Sequence, residues 1–295
     1  MDWKEALLDY KTYLKLEKSL SENTLEAYLR DIKKLERFTS SLPLEIEASE
    51  VEEFLYQFAK DNYAPRSQAR LISSLKSFFG YLQLEDWRKD NPAELLESPK
   101  LGMKLPDTLS EEEIDKLIAA IDLSLPEGER NRAILETLYG CGLRVSELTE
   151  LKLSDLFFED NFIRVIGKGN KQRLIPISNY TIKFLKIYLE EIRIHMPIQK
   201  GFEDYVFLNR RGKKLTRVMI FTIIKKLAEI AGIRKKISPH TFRHSIATHL
   251  LKNGADLRSI QMMLGHESIT TTEIYTHLDD NSMRDAVLKF HPRNN

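Results

Sequence analysis

The chain has 295 residues, and its 45 lysines and arginines nearly balance its 44 acidic residues, so the formal net charge is only +1. That balance excludes a nucleic-acid binder that works by bulk positive charge, although clustered cations can still bind phosphate. The single cysteine, Cys141, excludes intramolecular disulfides and cysteine-based zinc sites, and with no signal-peptide pattern it predicts a cytoplasmic protein.

Length and charge distribution predict two domains. Residues 1–104 carry 16 basic and 19 acidic side chains, which leaves 29 basic and 25 acidic side chains for residues 105–295. Between the two parts, residues 91–106 hold three prolines and a glycine, a composition that breaks helices. We therefore predict a first domain at 1–90, a linker at 91–106, and a second domain at 107–295 with a tail from 279.

The first domain is predicted to be a bundle of four helices. Apolar side chains recur every three or four residues in four stretches, at 3–14, 25–35, 51–58 and 71–82. Ser49 and Glu52 have the spacing of a capping box and predict the start of the third helix. Short amphipathic helices in this number bury their apolar faces against one another.

The second domain is predicted to be mostly helical with a small β-hairpin. Two strand-like stretches, 162–166 and 172–175, flank a glycine turn and predict the hairpin. Ser110 and Glu113 have capping-box spacing, and Ser238 followed by proline predicts a helix start. Helices are also predicted near 130–139, 178–195, 216–231 and 239–253.

Basic side chains cluster in three stretches of the second domain that contain no acidic residue. Each stretch alone is typical of a solvated turn, but three within residues 164–236 predict a surface that binds a polyanion. The stretches contain Arg164, Lys168, Lys171 and Arg173, then Arg210, Arg211, Lys213, Lys214 and Arg217, then Arg234, Lys235 and Lys236.

His240 and Arg243 share one face in the first turn of a predicted helix, where free backbone N–H groups already favour an anion. His240 and His244 have a spacing that suits a metal, but Thr241 stands where a zinc protease helix has its glutamate, so we predict no metal site. The chain also lacks the glycine-rich lysine loop of ATP-binding proteins, and we predict no such site.

Four motifs together resemble the tyrosine recombinase (phage integrase) family, and within it the Xer-type site-specific recombinases. Ser21 to Asp31 also resembles the core-binding domain of that family, so the resemblance covers nearly the whole chain. The motifs are Gly140-Cys-Gly-Leu-Arg144-Val-Ser-Glu-Leu148, Gly167-Lys168-Gly-Asn-Lys171-Gln-Arg173, Ser238-Pro-His240-Thr-Phe-Arg243 continuing to His249, and Leu264-Gly-His266 continuing to Tyr275-Thr-His277.

The resemblance implies a DNA strand transferase that needs neither metal nor ATP and carries no cofactor. By that resemblance Tyr275 is the nucleophile of a covalent 3′-phosphotyrosyl intermediate, His240 is the base and Lys168 is the acid. The scissile phosphate is bound by the remaining members of the set, Arg144, Arg243 and His266.

The family fold implied is mostly α with a small β-hairpin or sheet in the C-terminal domain, and its two domains clamp double-stranded DNA. It also implies a homo- or hetero-tetramer with a sister recombinase through the tail, no membrane, and the resolution of chromosome dimers at cell division. A septal DNA translocase is a further partner that the family suggests. Predicted DNA contacts are Arg66, Arg70, Lys171, Arg173, Arg210, Arg211, Lys213, Lys214 and Arg217.

Three other functions stay open on the sequence alone. A mobile-element integrase and a topoisomerase share the chemistry, and a catalytically silent DNA-binding protein shares the fold. Many integrases carry an extra domain before the core-binding helices, whereas this chain starts almost directly at them, which favours the Xer-type interpretation.

Overall fold

A computed structural model describes residues 1–18, 20–61, 63–99, 107–167, 171–265 and 286–294. The chain separates into two compact units, Met1–Lys104 and Leu105–Asn295. Both units are mainly helical, and the second contains a three-stranded antiparallel sheet, so the predicted fold class is confirmed. Within these residues, no helix is both long enough and apolar enough to cross a bilayer.

The first unit is a bundle of four helices around one apolar core. Tyr10, Ile32 and Phe78 are fully buried at its centre, because the apolar stripes of the helices face one another. Its core also includes Ala93, from the first residues of the predicted linker. The helices are α1 (Trp3–Leu16), α2 (Glu22–Phe38), α3 (Ala48–Lys60) and α4 (Pro65–Leu84).

The start of α3 differs from the prediction. Glu47, not Ser49, is the residue that precedes the helix, and its backbone is extended at φ −93° and ψ 160°. The Glu47 N–H donates to Oε1 of Glu50 at 3.3 Å, so Glu50 and not Glu52 closes the first turn. An acidic pair therefore begins this helix, where carboxylates interact favourably with the helix dipole.

In the described residues, the second unit contains α-helices and the strands of the sheet. In chain order they are α5 (Glu111–Ala119), α6 (Gly128–Cys141), α7 (Val145–Glu150), β1 (Leu156–Phe157), β2 (Phe162–Ile166), β3 (Gln172–Pro176), α8 (Asn179–Ile187), α9 (Arg217–Ile230), α10 (Pro239–Lys252) and α11 (Leu257–Leu264). Residues 286–290 form a further short helix.

The predicted hairpin is present as β2 and β3, and the two-residue strand β1 extends it to the order β1-β2-β3. Val165 pairs with Arg173 across β2 and β3, and Val165 and Ile175 are buried. Because side chains alternate along a strand, Arg173 lies on the same inward face as Ile175. The hairpin therefore points one arginine toward the core of the unit.

Helix α6 runs through the middle of this core and ends at Gly142. A Cβ at Gly140 would lie 2.3 Å from Oγ1 of Thr181, so α6 and α8 pack closely there. Gly142 has φ +58°, a conformation that terminates helices and strains other residues. This turn directs the chain straight to Arg144, the residue that precedes α7.

Candidate active site

Arg144 lies immediately before α7, and its conformation is fixed by a residue of the first turn. Its backbone N–H donates to Oε2 of Glu147 at 2.8 Å, and its Nη1 donates to Oε1 of the same carboxylate at 2.9 Å. The side chain of Arg144 is 35% exposed, whereas that of Glu147 is 2% exposed. A buried carboxylate therefore holds a guanidinium whose outer side faces solvent.

Arg243 is a buried side chain of α10 that meets the same region. Its Nη1 donates to the carbonyl of Gly142 at 2.8 Å, and its Nη2 donates to the carbonyl of Leu264. Ser238 precedes the helix and Pro239 opens it, as predicted, but Arg243 lies in the second turn and not in the first, where it was predicted. The fold thus brings together two arginines that are 99 positions apart in the sequence.

The C-terminal end of α11 is where three arginines converge. Gly265 ends the helix with φ +63°. Arg173 Nε donates to the carbonyl of Met263 at 3.2 Å, Arg243 donates to that of Leu264, and Arg144 Nη2 donates to that of Gly265 at 2.8 Å. These carbonyls form the negative end of the helix dipole, which attracts cations.

Glu147 was not given a role by the sequence motifs, yet it connects two of these arginines. Arg173 Nη1 and Nη2 donate to its two oxygens at 2.8 Å and 2.9 Å, beside the bonds from Arg144. Burial by itself raises the pKa of Glu147, but the hydrogen bonds and charges of Arg173 and Arg144 outweigh it and lower the pKa. The signal in the sequence was the three-residue spacing from Arg144, the same spacing as a capping box.

Burial and the concentration of positive charge shift the pKa values of other titratable groups of the site. Burial lowers the pKa of Arg243 to about 10, with Arg144 and Arg173 acting in the same direction. The protein around its inner side partly desolvates His240 and lowers its pKa, and the charges of Arg243, His244 and Arg144 lower it further. His240 is exposed at the surface of α10, so its neutral ring is open to solvent and can accept a proton.

Three predicted catalytic residues, Lys168, His266 and Tyr275, lie outside the described residues. The described chain nevertheless leads to two of them. The N–H of Gly167, the residue directly before Lys168, donates to the carbonyl of Lys171 at 2.7 Å. Gly265, the residue directly before His266, accepts the hydrogen bond from Arg144.

Most of the second basic stretch is displayed on a turn. Arg210, Arg211, Lys213 and Arg217 are exposed. The turn packs closely against the backbone at Pro197, because a Cβ at Gly212 would lie 1.8 Å from the carbonyl oxygen of Pro197. Lys214 instead binds both oxygens of Glu150 at 2.6 Å and 2.7 Å.

Lys214 therefore ties this turn to the last residue of α7. Arg144 lies at the other end of that helix, about 9 Å away for six residues. The basic turn and the arginine cluster thus flank one short helix.

The other predicted DNA contacts differ in their surroundings. Lys171 is exposed on the hairpin, and Arg66 is exposed at the start of α4. Arg70 donates from Nε and Nη2 to the carboxylate of Asp31 at 2.9 Å and 3.1 Å, and Asp31 is fully buried. Arg70 thereby neutralises a buried charge between α2 and α4.

No group of three or more histidine, cysteine or carboxylate side chains in the described ranges is placed to hold a metal ion. The charge at this site comes from guanidinium groups. Such fixed positive groups can stabilise an anionic transition state directly.

Comparison with known proteins agrees with this geometry. The phage integrase family matches residues 107–282, and the phage integrase N-terminal SAM-like domain matches residues 7–86. The tyrosine recombinase XerD of Listeria innocua is 43% identical over 290 residues, which cover 97% of this chain and 98% of that protein.

The chain belongs to the phage integrase family of tyrosine recombinases. The predicted family, enzyme class and site-specific recombinase function are thus confirmed. The crystal structure of XerA recombinase is similar with 34% identity and a TM-score of 0.51, over 98% of this chain and 99% of that one. The structure of XerH bound to a palindromic difH substrate in a post-cleavage complex has 25% identity and a TM-score of 0.71, over 96% and 84%.

Proposed function

We propose that this recombinase cuts and rejoins DNA through a covalent 3′-phosphotyrosyl bond to Tyr275 and resolves chromosome dimers at cell division. The observation that carries the proposal is the convergence of Arg144 and Arg243 on adjacent carbonyls beside the chain that leads to His266. Two guanidiniums that converge on adjacent residues suit the non-bridging oxygens of one phosphodiester.

The two arginines supply the electrostatic part of the reaction. A phosphodiester is already an anion and gains further negative charge when an oxygen nucleophile attacks it. Preorganised donors that face this charge act most strongly where water is excluded. Arg243 is buried and Arg144 is half-buried, and we assign a further hydrogen bond to His266.

Proton transfers are assigned to the two remaining polar groups. A tyrosine hydroxyl with a pKa near 10 is mostly protonated at neutral pH, so Tyr275 needs a base. Partial burial and then the surrounding cations lower the pKa of His240, which favours the neutral form that can accept that proton. We assign to Lys168 the proton that the leaving 5′-oxygen takes up, since a lysine whose pKa is lowered by neighbouring cations is a suitable acid.

The chemistry conserves the energy of the DNA backbone bond. Tyr275 forms a bond to phosphorus while the bond to the 5′-oxygen breaks, and that oxygen takes the proton from Lys168. A 5′-hydroxyl of another strand then attacks the phosphotyrosine, which releases the Tyr275 hydroxyl and restores a phosphodiester. The cycle consumes neither ATP nor water.

DNA binding is assigned to both parts of the chain. We infer a core-binding domain at 1–90, a linker at 91–106 and a catalytic domain at 107–295 that together clamp a double-stranded site. The exposed cations Arg210, Arg211, Lys213 and Arg217 support backbone contacts near the arginine cluster, since clustered cations release counterions from DNA.

The tail at 279–295 is assigned to contacts within a tetramer, with the same chain or a sister recombinase as neighbours. In the described structure its last part lies on its own unit, where Val287 is fully buried and the Phe290 carbonyl accepts from Asn253 at 2.9 Å. Exchange into a neighbour therefore requires these contacts to open and re-form in trans. Deletion of residues 281–295 is expected to abolish pairing of sites while single-site binding persists.

The cellular role and its setting belong to the same proposal. A cytoplasmic resolvase of chromosome dimers, activated by a septal DNA translocase, acts at one site near the replication terminus. An imperfect palindrome of about 28 base pairs there is expected from two half-sites about one helical turn apart. Flanking mobile-element genes would instead favour the integrase alternative.

The direct test of the chemistry is a suicide substrate, a site nicked so that the cleaved fragment leaves. Wild-type protein with this DNA in excess EDTA is expected to form an adduct that resists SDS, while Tyr275→Phe binds DNA and forms none. Tyr180→Phe is the matched control, and its adduct yield is expected to equal wild type. An adduct at wild-type yield from Tyr275→Phe would reject the assignment.

A further inference from the structure

We propose that Arg173 is a positioning residue, which neutralises Glu147 and fixes the end of α11 so that Arg144 remains available to the scissile phosphate. The inference rests on the proposed role of Arg144. It replaces the DNA contact that the sequence predicts for Arg173 with a role inside the protein.

Each of the three nitrogens of the Arg173 guanidinium already donates to a protein acceptor. Its Nη1 and Nη2 form a fork on the two oxygens of Glu147, and its Nε donates to the carbonyl of Met263. The side chain is 16% exposed and lies on the inward face of β3. A fork of this kind uses the geometry that would otherwise bind a phosphate.

The local balance of charge also supports this role for Arg173. Arg144, Arg173 and Arg243 supply three positive charges, and Glu147 supplies one negative charge. Arg173 binds both oxygens of that carboxylate, whereas the Arg144 side chain binds only one of them. Arg173 is thus the arginine that Glu147 neutralises, and two net positive charges remain for a phosphate whose negative charge grows during attack.

Loss of Arg173 would change how Arg144 binds Glu147. Without Arg173, a nearly fully buried carboxylate would keep a single hydrogen-bonded cationic partner, the half-buried Arg144. A buried charge that loses one partner binds the remaining one more strongly. Arg144 would then form the fork on Glu147 itself, with its donors turned away from the phosphate.

Arg173 also contacts the segment that precedes His266 in the chain. Its Nε holds the last turn of α11 at Met263, and a Cβ at Gly265 would lie 3.1 Å from the same nitrogen. The hairpin and the end of α11 therefore pack through this one side chain. Arg173 thus joins β3 to the residues of α11 that precede His266 in the chain.

The test combines DNA affinity with the rate of chemistry. Arg173→Gln, Glu147→Gln and the double variant are compared with wild type for site affinity over a salt series and for single-turnover cleavage at saturating suicide DNA. Arg173→Gln is expected to keep the affinity within about threefold and to retain the salt slope. Its cleavage rate is expected to fall about 100-fold, a loss similar to that of one transition-state donor.

The double variant separates neutralisation from simple loss of structure. Removing the charge of Glu147 as well frees Arg144, so Arg173→Gln/Glu147→Gln is expected to cleave at least tenfold faster than Arg173→Gln. Arg193→Gln is the matched control, because Arg193 is also buried and donates to the carbonyls of Glu203 and Tyr205. Its cleavage rate per folded molecule is expected to match wild type.

Two results would overturn the inference. One is a weaker affinity with a salt slope reduced by about one and normal cleavage at saturation, which would make Arg173 a phosphate contact. The other is a double variant no faster than the single. Should Arg173→Gln fail to fold, Arg173→Lys keeps the charge but not the fork, and its expected result is wild-type affinity with slower cleavage. Wild-type cleavage in the same assay reports on the proposed function separately.

Discussion

Glu147 holds Arg144 at two points, through the backbone N–H at 2.8 Å and through Nη1 at 2.9 Å. One carboxylate therefore fixes both where α7 begins and where the guanidinium points. Such a bond costs little mobility when the reaction begins, because the donor is already oriented. The two hydrogen bonds to Glu147 therefore set the orientation of Arg144 in the folded protein.

Replacing Arg144 by lysine tests whether geometry matters as well as charge. Lysine keeps the positive charge but cannot bind Glu147, Gly265 and a phosphate oxygen in one plane. We expect Arg144→Lys to bind the site normally and to cleave about 100- to 1000-fold more slowly at saturating DNA. Arg258→Lys, an exposed residue of α11, is the control. Cleavage by Arg144→Lys within threefold of wild type would contradict this account.

Replacing Gly142 by alanine tests the turn that joins α6 to α7. The residue has φ +58°, and a Cβ there would lie 2.7 Å from Cδ2 of Leu264. Strain and overpacking together are expected to lower the free energy of unfolding by about 2–4 kcal/mol. Gly201→Ala has a similar φ of +90° but open space around it, and about 1–2 kcal/mol is expected. Urea unfolding measures both, and equal losses would show that the packing against Leu264 is unimportant.

The fall of the cleavage rate at acidic pH tests whether His240 is the base. Burial and then the charges of Arg243, His244 and Arg144 lower the pKa of His240, so its neutral form persists below the ordinary value of about 6.5. Single-turnover rates from pH 5 to 8 are expected to fall with a midpoint below 6.5. His244→Gln removes one neighbouring cation and is expected to move that midpoint upward. A midpoint above 6.5, or one unmoved by His244→Gln, would argue against His240.

Acid is expected to destabilise the docked C-terminal segment through His291. Burial first, and Arg293 and His249 as well, lower the pKa of His291 to about 3, whereas the unfolded chain takes up that proton near pH 6.5. Between these values the unfolded state binds more protons, so stability is present above pH 6.5 and is lost as the pH falls.

The measurement is the free energy of unfolding of wild type minus that of His291→Gln. This difference is expected to fall by up to about 1.4 kcal/mol per pH unit between pH 6 and 4. Glu136, whose pKa burial raises to about 7, acts in the opposite direction but is present in both proteins. A difference independent of pH would show that the buried ring is protonated in the folded protein.

Substitutions of Arg70 and Arg66 distinguish a structural arginine from a predicted DNA contact. Arg70 pairs with buried Asp31, which keeps Lys34 as a second partner at 3.1 Å. Arg70→Gln is therefore expected to lower the free energy of unfolding by about 1–2 kcal/mol, less than the loss of a sole partner. Arg66→Gln is expected to weaken DNA binding without a change in stability. The interpretation would fail if Arg70→Gln weakened DNA binding at unchanged stability.

Periodicity sufficed for most of the fold because the helices of both units are amphipathic. The four stripes of the first unit lie on α1 to α4, and the hairpin lies at the predicted residues. Strand β1 was missed because two residues carry no period. The start of α3 was misplaced because Glu47, an uncommon residue before a helix, takes the position expected of Ser49.

The site was accessible to the sequence only in part. Motifs identified Arg144 and Arg243 because each carries local spacing, but the partners of an arginine are set by tertiary contacts. Counting Arg173 among exposed cations overlooked its place two residues before buried Ile175, which puts it on the inward face of β3. Arg70 is exposed, as a DNA contact requires, but its pairing with a buried aspartate 39 positions away leaves no local pattern in the sequence.

The central claim is that the arginine pair promotes attack by Tyr275 on a DNA phosphate. The most direct measurement is to digest the adduct from a suicide substrate, formed in EDTA, and to identify the modified peptide by mass spectrometry. The account predicts one nucleotide phosphodiester, attached through the 3′-phosphate to Tyr275, and its disappearance in Arg144→Gln/Arg243→Gln. An adduct on any other tyrosine, or an equal yield without the two arginines, would contradict it.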